Sequence, residues 1–209
     1  MPTVLPGALD ADLCRRWCRA FDPPRPGPRP ATGWPVPAAA VLAALARSPV
    51  AAALRGALGP APLCRLDFSH ARHGRPAHSW HQDGALRHDF LAHAGRPAPA
   101  AALLVMRTVW IPLTPCGDAA PSLQWVLADT PALLLPAALD DAAVAAAFGL
   151  HNRRHACLAP GDALLFDGAL LHRTHLQAAM AQPRTSLELR FFPAGGLHPR
   201  LGPGPTLAL

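Results

Sequence analysis

A chain of 209 residues fits one domain able to bury a sizeable core, and nothing in its length asks for a second. Apolar residues make up 51% and charged residues only 15%, so alanine, proline and histidine must cover surface that charge covers elsewhere. The net charge of +6 fits either nucleic acid or a small anionic ligand, but the arginines are scattered and no aromatic-interleaved basic stripe appears, which argues against nucleic acid. Every one of the 19 basic residues is arginine, tyrosine is absent and Glu188 is the single glutamate, a bias of GC-rich coding that weakens arguments from composition.

Residues Met1 to Gly7 lack a charged region followed by an apolar core, so no secretory signal is expected. Leu9 to Phe21 has helical spacing, with Leu9, Leu13 and Trp17 on one face, and Pro23-Pro24 should end it. The run Pro23 to Pro30 can neither pair into a sheet nor continue a helix, and reads as a solvated loop. The alanine-rich stretch Pro37 to Leu58 makes one or two helices split at Ser48-Pro49. With Arg47, Pro49 and Arg55 it is too interrupted to span a bilayer.

From Leu63 onward the pattern changes to short strands between turns. Expected strands are Cys64 to Ser69, Ala77 to His81, Leu103 to Pro112, Leu123 to Leu127, His155 to Leu158, Ala163 to Asp167 and Thr185 to Phe192. Helical spacing returns between Asp140 and Phe148. Helices first and many short strands later describe a mainly β protein, an antiparallel sandwich or barrel with N-terminal helices packed on one side. Five cysteines without a Cys-x-x-Cys spacing read as reduced thiols in the cytoplasm, with Cys64, Cys116 and Cys157 as buried apolar residues.

The chemistry concentrates in Ser79-Trp80-His81-Gln82-Asp83-Gly84. If this run is a strand, His81 and Asp83 point to one face and can reach one metal, while Gln82 points away. Two histidines and one carboxylate on one side of a metal leave the opposite positions open, the arrangement of non-haem Fe(II) oxygenases. The second histidine is best sought where the Pro160-Gly161-Asp162 turn feeds an apolar strand, Gly168 breaks it and His172 follows. His175 is its competitor. The other nearby histidines, His70, His73, His78, His88 and His93, read as surface or hydrogen-bonded residues. Further on, Arg184 and Ser186 share a strand face. The arginine fork suits a carboxylate, and Arg190, on the same face, is the runner-up. Both arginines could instead pair with Glu188 or Asp167. Trp80, Trp110, Gln124 and Trp125 read as residues that fill the core or line a rim, with Trp80 and Gln124 as the pocket candidates among them.

His81-x-Asp83, the Pro-Gly-Asp strand leading to His172, and Arg184 a dozen residues later together resemble the phytanoyl-CoA dioxygenase-like family of Fe(II)- and 2-oxoglutarate-dependent oxygenases. Trp110-Ile111-Pro112-Leu113 is similar to that family's central strand and Ser122 to Val126 to the strand after it, and the resemblance runs from about Cys64 to Pro193. It implies a double-stranded β-helix, a cupin-like jelly roll, spanning 63–193 within a single domain 1–209, with a helical part at 1–62 and a tail at 194–209. It also implies iron held by His81, Asp83 and His172, and 2-oxoglutarate anchored by Arg184 and Ser186. The expected reaction consumes dioxygen and hydroxylates an unidentified small molecule, an anionic one being compatible with the basic charge, with release of succinate and CO2. A carboxylate at position 83 fits a hydroxylase rather than a halogenase. The alternative is a non-catalytic cupin-like barrel that binds a small anionic ligand.

Overall fold

In the computed structural model the described residues are 1–22, 27–75, 77–89, 103–130, 132–135, 139–195 and 197–209. Of the expected proline-rich loop Pro23 to Pro30 the second half is described, and it does pair into a sheet at its end, where Arg29–Pro30 lies against His70 and Ala71, while His93 lies outside the described residues.

Helix α1 (Ala11–Ala20) starts where Asp10 accepts the backbone N–H groups of Asp12 and Leu13 at 2.9 and 3.0 Å, and it buries Cys14 and Trp17. Helices α2 (Ala38–Leu45) and α3 (Pro49–Leu58) meet at 91°. The break comes at Ser48, whose hydroxyl caps α3 through Val50 N at 3.2 Å, with Pro49 in the first turn. Among the described residues no single helix is long and apolar enough to cross a membrane. Helix α4 (Asp141–Phe148) is capped by Asp140 through Ala143 N at 2.7 Å.

The strands are β1 (Thr3–Leu5), β2 (Arg29–Pro30), β3 (Leu63–Arg65), β4 (His70–Gly74), β5 (Arg107–Pro112), β6 (Ser122–Val126), β7 (Arg153–His155), β8 (Ala163–Asp167), β9 (His172–His175), β10 (Arg184–Phe192) and β11 (Thr206–Ala208). The larger sheet runs β1-β8-β5-β10-β3-β11, with β4 also paired to β10 and β2 to β4. The smaller runs β7-β6-β9, and every pairing is antiparallel. Together they form the mainly β, double-stranded β-helix architecture expected from the sequence.

The central strands β5 and β10 show why both faces are covered. Val109, Ile111, Leu187, Leu189 and Phe191 pack under the helices with Val41, Leu45, Val50 and Leu54 in one core. The alternate residues point the other way, and Trp110 meets Leu123, Trp125, Leu164 and Phe166 between the sheets. Burying each large aliphatic side chain stabilises the fold by roughly 1.5–3 kcal/mol. All nine residues of β10 are buried, so its polar face, Arg184, Ser186, Glu188 and Arg190, lies inside the barrel.

Several sequence expectations are corrected. The strand expected over Cys64 to Ser69 ends at Arg65, because the Arg65 guanidinium folds onto Asp67 at 2.7 and 2.9 Å and Ser69 Oγ donates to Arg65 O at 2.8 Å, closing a turn. The strand expected from Leu103 begins at Arg107. The one expected at His155 to Leu158 lies at Arg153–His155, and Leu158 makes an isolated bridge to Cys116. Ala77 to His81 does not form a strand; His81 makes an isolated bridge to His172. Cys64 and Cys116 are buried as expected, but Cys157 is exposed, beside Asp118.

Candidate metal and co-substrate site

His81 and His172 are brought together by the backbone. His81 N donates to His172 O at 2.9 Å and His172 N to His81 O at 3.0 Å, which sets the two residues opposite one another with their rings 4.2 Å apart. Asp83 reaches them by a different route from the one its spacing suggests. After Gln82 the chain leaves the extended conformation and Asp83 opens a 3-10 turn, Asp83–Ala85. That turn docks on the link between β8 and β9, where Gly84 N donates to Gly168 O at 2.7 Å. A side chain at either glycine would collide with the other's backbone, at 2.8 Å from Gly168 O and 2.9 Å from Gly84 Cα, so only glycine permits this approach.

The ligand atoms of His81, Asp83 and His172 lie within 4.8 Å of one another and could hold one metal ion. His81 Nδ1 lies 2.7 Å from Ser79 O, and His172 Nδ1 lies 3.0 Å from Leu170 O. A carbonyl can only accept, so both Nδ1 atoms carry the proton and both Nε2 lone pairs are left for a metal. Burial, with His172 beside it, lowers the His81 pKa to about 4, outweighing the pull of Asp83. The ring is therefore neutral at physiological pH, the form a metal requires.

Asp83 is buried, and burial alone would raise its pKa. Arg190 and the two histidines hold it well below the carboxylate range. Its Oδ1 accepts from Arg190 Nη2 at 2.7 Å and its Oδ2 from Thr108 Oγ1 at 2.5 Å. Arg190 is fixed in turn by Glu188 and by the carbonyl of Phe68, and its Nη1 lies 3.3 Å from His70 Nδ1. Arg190, the runner-up for binding 2-oxoglutarate, thus has its fork engaged by protein carboxylates.

Arg184 is different. It is 1% exposed, stacks 5.4 Å from the Trp110 ring, and among the described residues makes one hydrogen bond, from Nη1 to Ser122 O at 3.0 Å, and no bond to a carboxylate. Among the described residues its Nε, like that of Arg190, has no partner, and neither does Ser186 Oγ, two residues on along the same face. Burial lowers its pKa to about 10, with Glu188 opposing. A buried guanidinium without a carboxylate costs several kcal/mol. The donor set of Arg184 and Ser186 fits the carboxylate of a bound co-substrate, which would supply the missing acceptors.

The remaining candidates sort cleanly. His175 lies on the opposite face of β9 from His172, stacked on His155 at 4.2 Å, because it is three residues on and the period is two. Gln124 accepts from Arg173 Nε at 2.8 Å on that same outer face, away from the triad. Trp80 is 2% exposed in a core with Val126, Val144 and Leu171, its indole N–H donating to Asp141 at 2.9 Å. Sequence reasoning gave no role to Gln82 or Thr108. The Gln82 amide nitrogen lies 2.9–3.1 Å from the carbonyls of Thr130, Ala132 and Ala169, and its oxygen accepts from Leu134 N at 2.9 Å, tying the segment after β6 to the site. Only its one-residue offset from both ligands hinted at such a task.

A double-stranded β-helix with two histidines and a carboxylate converging at one end defines the class of non-haem iron oxygenase folds. The family model described as phytanoyl-CoA dioxygenase (PhyH) matches residues 3–178, and the chain belongs to that family. It is an Fe(II)- and 2-oxoglutarate-dependent enzyme of that kind. Arg184 and Ser186 lie just beyond the matched residues. Among solved structures, the chain is similar to HygX from Streptomyces hygroscopicus with iron bound (16% identity, TM-score 0.65, 92% of this chain and 82% of that one). It is similar also to EctD from S. alaskensis with 2-oxoglutarate and 5-hydroxyectoine (18%, TM-score 0.67, 93% and 72%). The non-heme monooxygenase ThoJ in its apo form is a third (15%, TM-score 0.61, 100% and 78%). At these identities the likeness is one of fold. No curated protein matches the chain.

Proposed function

We propose that this single-domain chain hydroxylates a small molecule, with His81, Asp83 and His172 holding Fe(II), and Arg184 and Ser186 holding the distal carboxylate of 2-oxoglutarate. The observation that carries the reading is the convergence of two histidines, each with Nδ1 committed to a backbone carbonyl, on a carboxylate whose ionised form is fixed by Arg190. Structures of similar fold with nickel or iron and 2-oxoglutarate bound support it.

The overall reaction is R–H + O2 + 2-oxoglutarate giving R–OH + succinate + CO2, with one oxygen atom going to each organic product. Iron held by His81, Asp83 and His172 would supply the redox chemistry. The chain's own residues do the positioning. Ser79 O and Leu170 O hold the imidazoles in one tautomer, Thr108 and Arg190 fix both Asp83 oxygens, and Trp110 with Phe166 and Leu164 excludes water from the barrel. All five cysteines are free, which supports residence in a reducing compartment such as the cytoplasm.

Anaerobic addition of Fe(II) and 2-oxoglutarate should produce a weak visible charge-transfer band, and admission of oxygen should release succinate. Folded protein that binds no iron and shows no band would sink the proposal. A band without any succinate across a broad metabolite screen would favour a binding barrel instead.

A further inference from the structure

The cavity beside the triad has a volume of about 300 Å³ and is lined by His70, Arg72 and His78, by Leu86 and Leu134, and by His81 and Asp83. That is the lower end of the roughly 300–1,000 Å³ of small-molecule sites. Its two kinds of wall differ in chemistry. Strand β4 presents His70 and Arg72 from the positions opposite Glu188 and Ser186, so both face into the barrel, whereas His73, one residue on, turns away to Thr185 Oγ1 at 2.8 Å. Ala85, Leu86 and Leu134 supply apolar surface.

The β4 wall offers hydrogen-bond donors. Among the described residues the Arg72 guanidinium has one protein partner, a long 3.4 Å contact from Nε to Glu188 Oε2, and its two terminal nitrogens have none. His70 Nδ1, beside Arg190 Nη1 at 3.3 Å, must be the acceptor of that pair, which leaves Nε2–H as a donor. The acceptors nearby are already used, since Asp83 and Glu188 are both bonded to Arg190.

The charges point the same way. Asp83 and Glu188 balance Arg190 and Arg72, Fe(II) balances doubly charged 2-oxoglutarate, and Arg184 remains as one positive charge in excess. A low-dielectric site with one surplus positive charge selects a singly charged anion over a neutral molecule or a cation. Resting on the oxygenase reading above, we infer that the molecule hydroxylated is a small aliphatic monocarboxylate, its carboxylate held by the free edge of Arg72 with His70 and its chain lying on Leu86 and Leu134. A planar fork with two unpartnered nitrogens matches a carboxylate bidentately.

The test uses the full chain with Fe(II) and saturating 2-oxoglutarate without oxygen, and two isosteric probes, hexanoate and hexanamide. Hexanoate should perturb the charge-transfer band and bind at least 10-fold more tightly than hexanamide by calorimetry. Arg72→Gln should abolish that preference while keeping the band and the 2-oxoglutarate affinity to within about threefold, and Arg72→Lys should retain part of it. Equal affinity for the two probes, no binding of either, or tighter binding of hexyl phosphate than of hexanoate would overturn the inference. So would an Arg72→Gln variant that loses 2-oxoglutarate instead of hexanoate, because Arg72 would then serve the co-substrate. Absence of the band in the wild type before any probe is added marks failure of the oxygenase reading itself.

Discussion

Arg184 and Arg190 stand six residues apart on one face of β10, yet their surroundings act on them in opposite directions. Burial would lower the Arg190 pKa, but Asp83 and Glu188 hold it up, so this cation is a fixed part of the protein. Among the described residues no carboxylate is bonded to Arg184, Glu188 opposes only in part, and burial prevails. Arg184→Gln should therefore fold normally and raise the Kd for 2-oxoglutarate about 10- to 100-fold, the loss of one or two charge-assisted hydrogen bonds. Arg190→Gln should leave two buried carboxylates facing one another and destabilise the protein by about 3–5 kcal/mol. Calorimetric titration of the first variant and urea unfolding of the second check the pair. Wild-type affinity in the one, or wild-type stability in the other, would reverse the assignment. Period-two spacing puts both arginines on the same face and cannot rank them. The deciding facts are the Asp83 and Glu188 contacts, which join residues more than a hundred positions apart in the first case.

At the scale of elements, β8 shows how a turn sets up the site. Gly161 has φ +91° and bonds twice, its N to Pro112 O and its O to Leu9 N, both at 2.9 Å. Asp162 closes the turn, accepting from Ala159 N and Gly7 N at 3.0 Å. A Cβ at residue 161 would stand 2.2 Å from Leu9 O, a backbone atom held in place by those bonds. Gly161→Ala adds that clash to the strain of positive φ and should cost about 2–4 kcal/mol, lowering Tm by roughly 5–15 °C in a thermal melt. An unchanged Tm would show that the turn can move. This turn, β8, β10 and all four helices are legible in the sequence, because turn residues, caps and apolar periodicity agree there. Strands β4 and β9 are not. His70-Ala71-Arg72-His73-Gly74 and His172-Arg173-Thr174-His175 carry too many polar residues for alternation to show, since their inner face lines a site rather than a core. The same cause hides the path of His81 to Asp83. The spacing predicts their convergence, but a single bridge and a 3-10 turn produce it, not a continuous strand.

Across the whole molecule, the charged and histidine-rich interior implies a definite response to acid. Burial lowers the pKa of His70, His78 and His175, and that of His81 to about 4. Between the unfolded histidine value near 6.5 and about 4, the unfolded chain takes up protons that the folded chain refuses, so stability falls as pH falls through this window. His81 alone should account for about 1–3 kcal/mol of that loss. Asp83 and Glu188, whose pKa values are lowered, keep contributing until the pH drops below the carboxylate range, so their share is lost later. Metal-free protein should accordingly show urea midpoints that decline from pH 7.5 through 6 to 5, before carboxylates titrate. A midpoint flat to pH 5 would mean that these histidines take up protons equally in both states. Adding Co(II) should raise the midpoint at pH 7.5 by RT ln(1 + [L]/Kd), about 2.7 kcal/mol at a hundredfold excess over Kd. That gain should shrink as the pH falls toward about 4, because protons then compete with the metal for Nε2 of His81. A metal-induced gain that did not diminish in acid would place the ion away from the histidines.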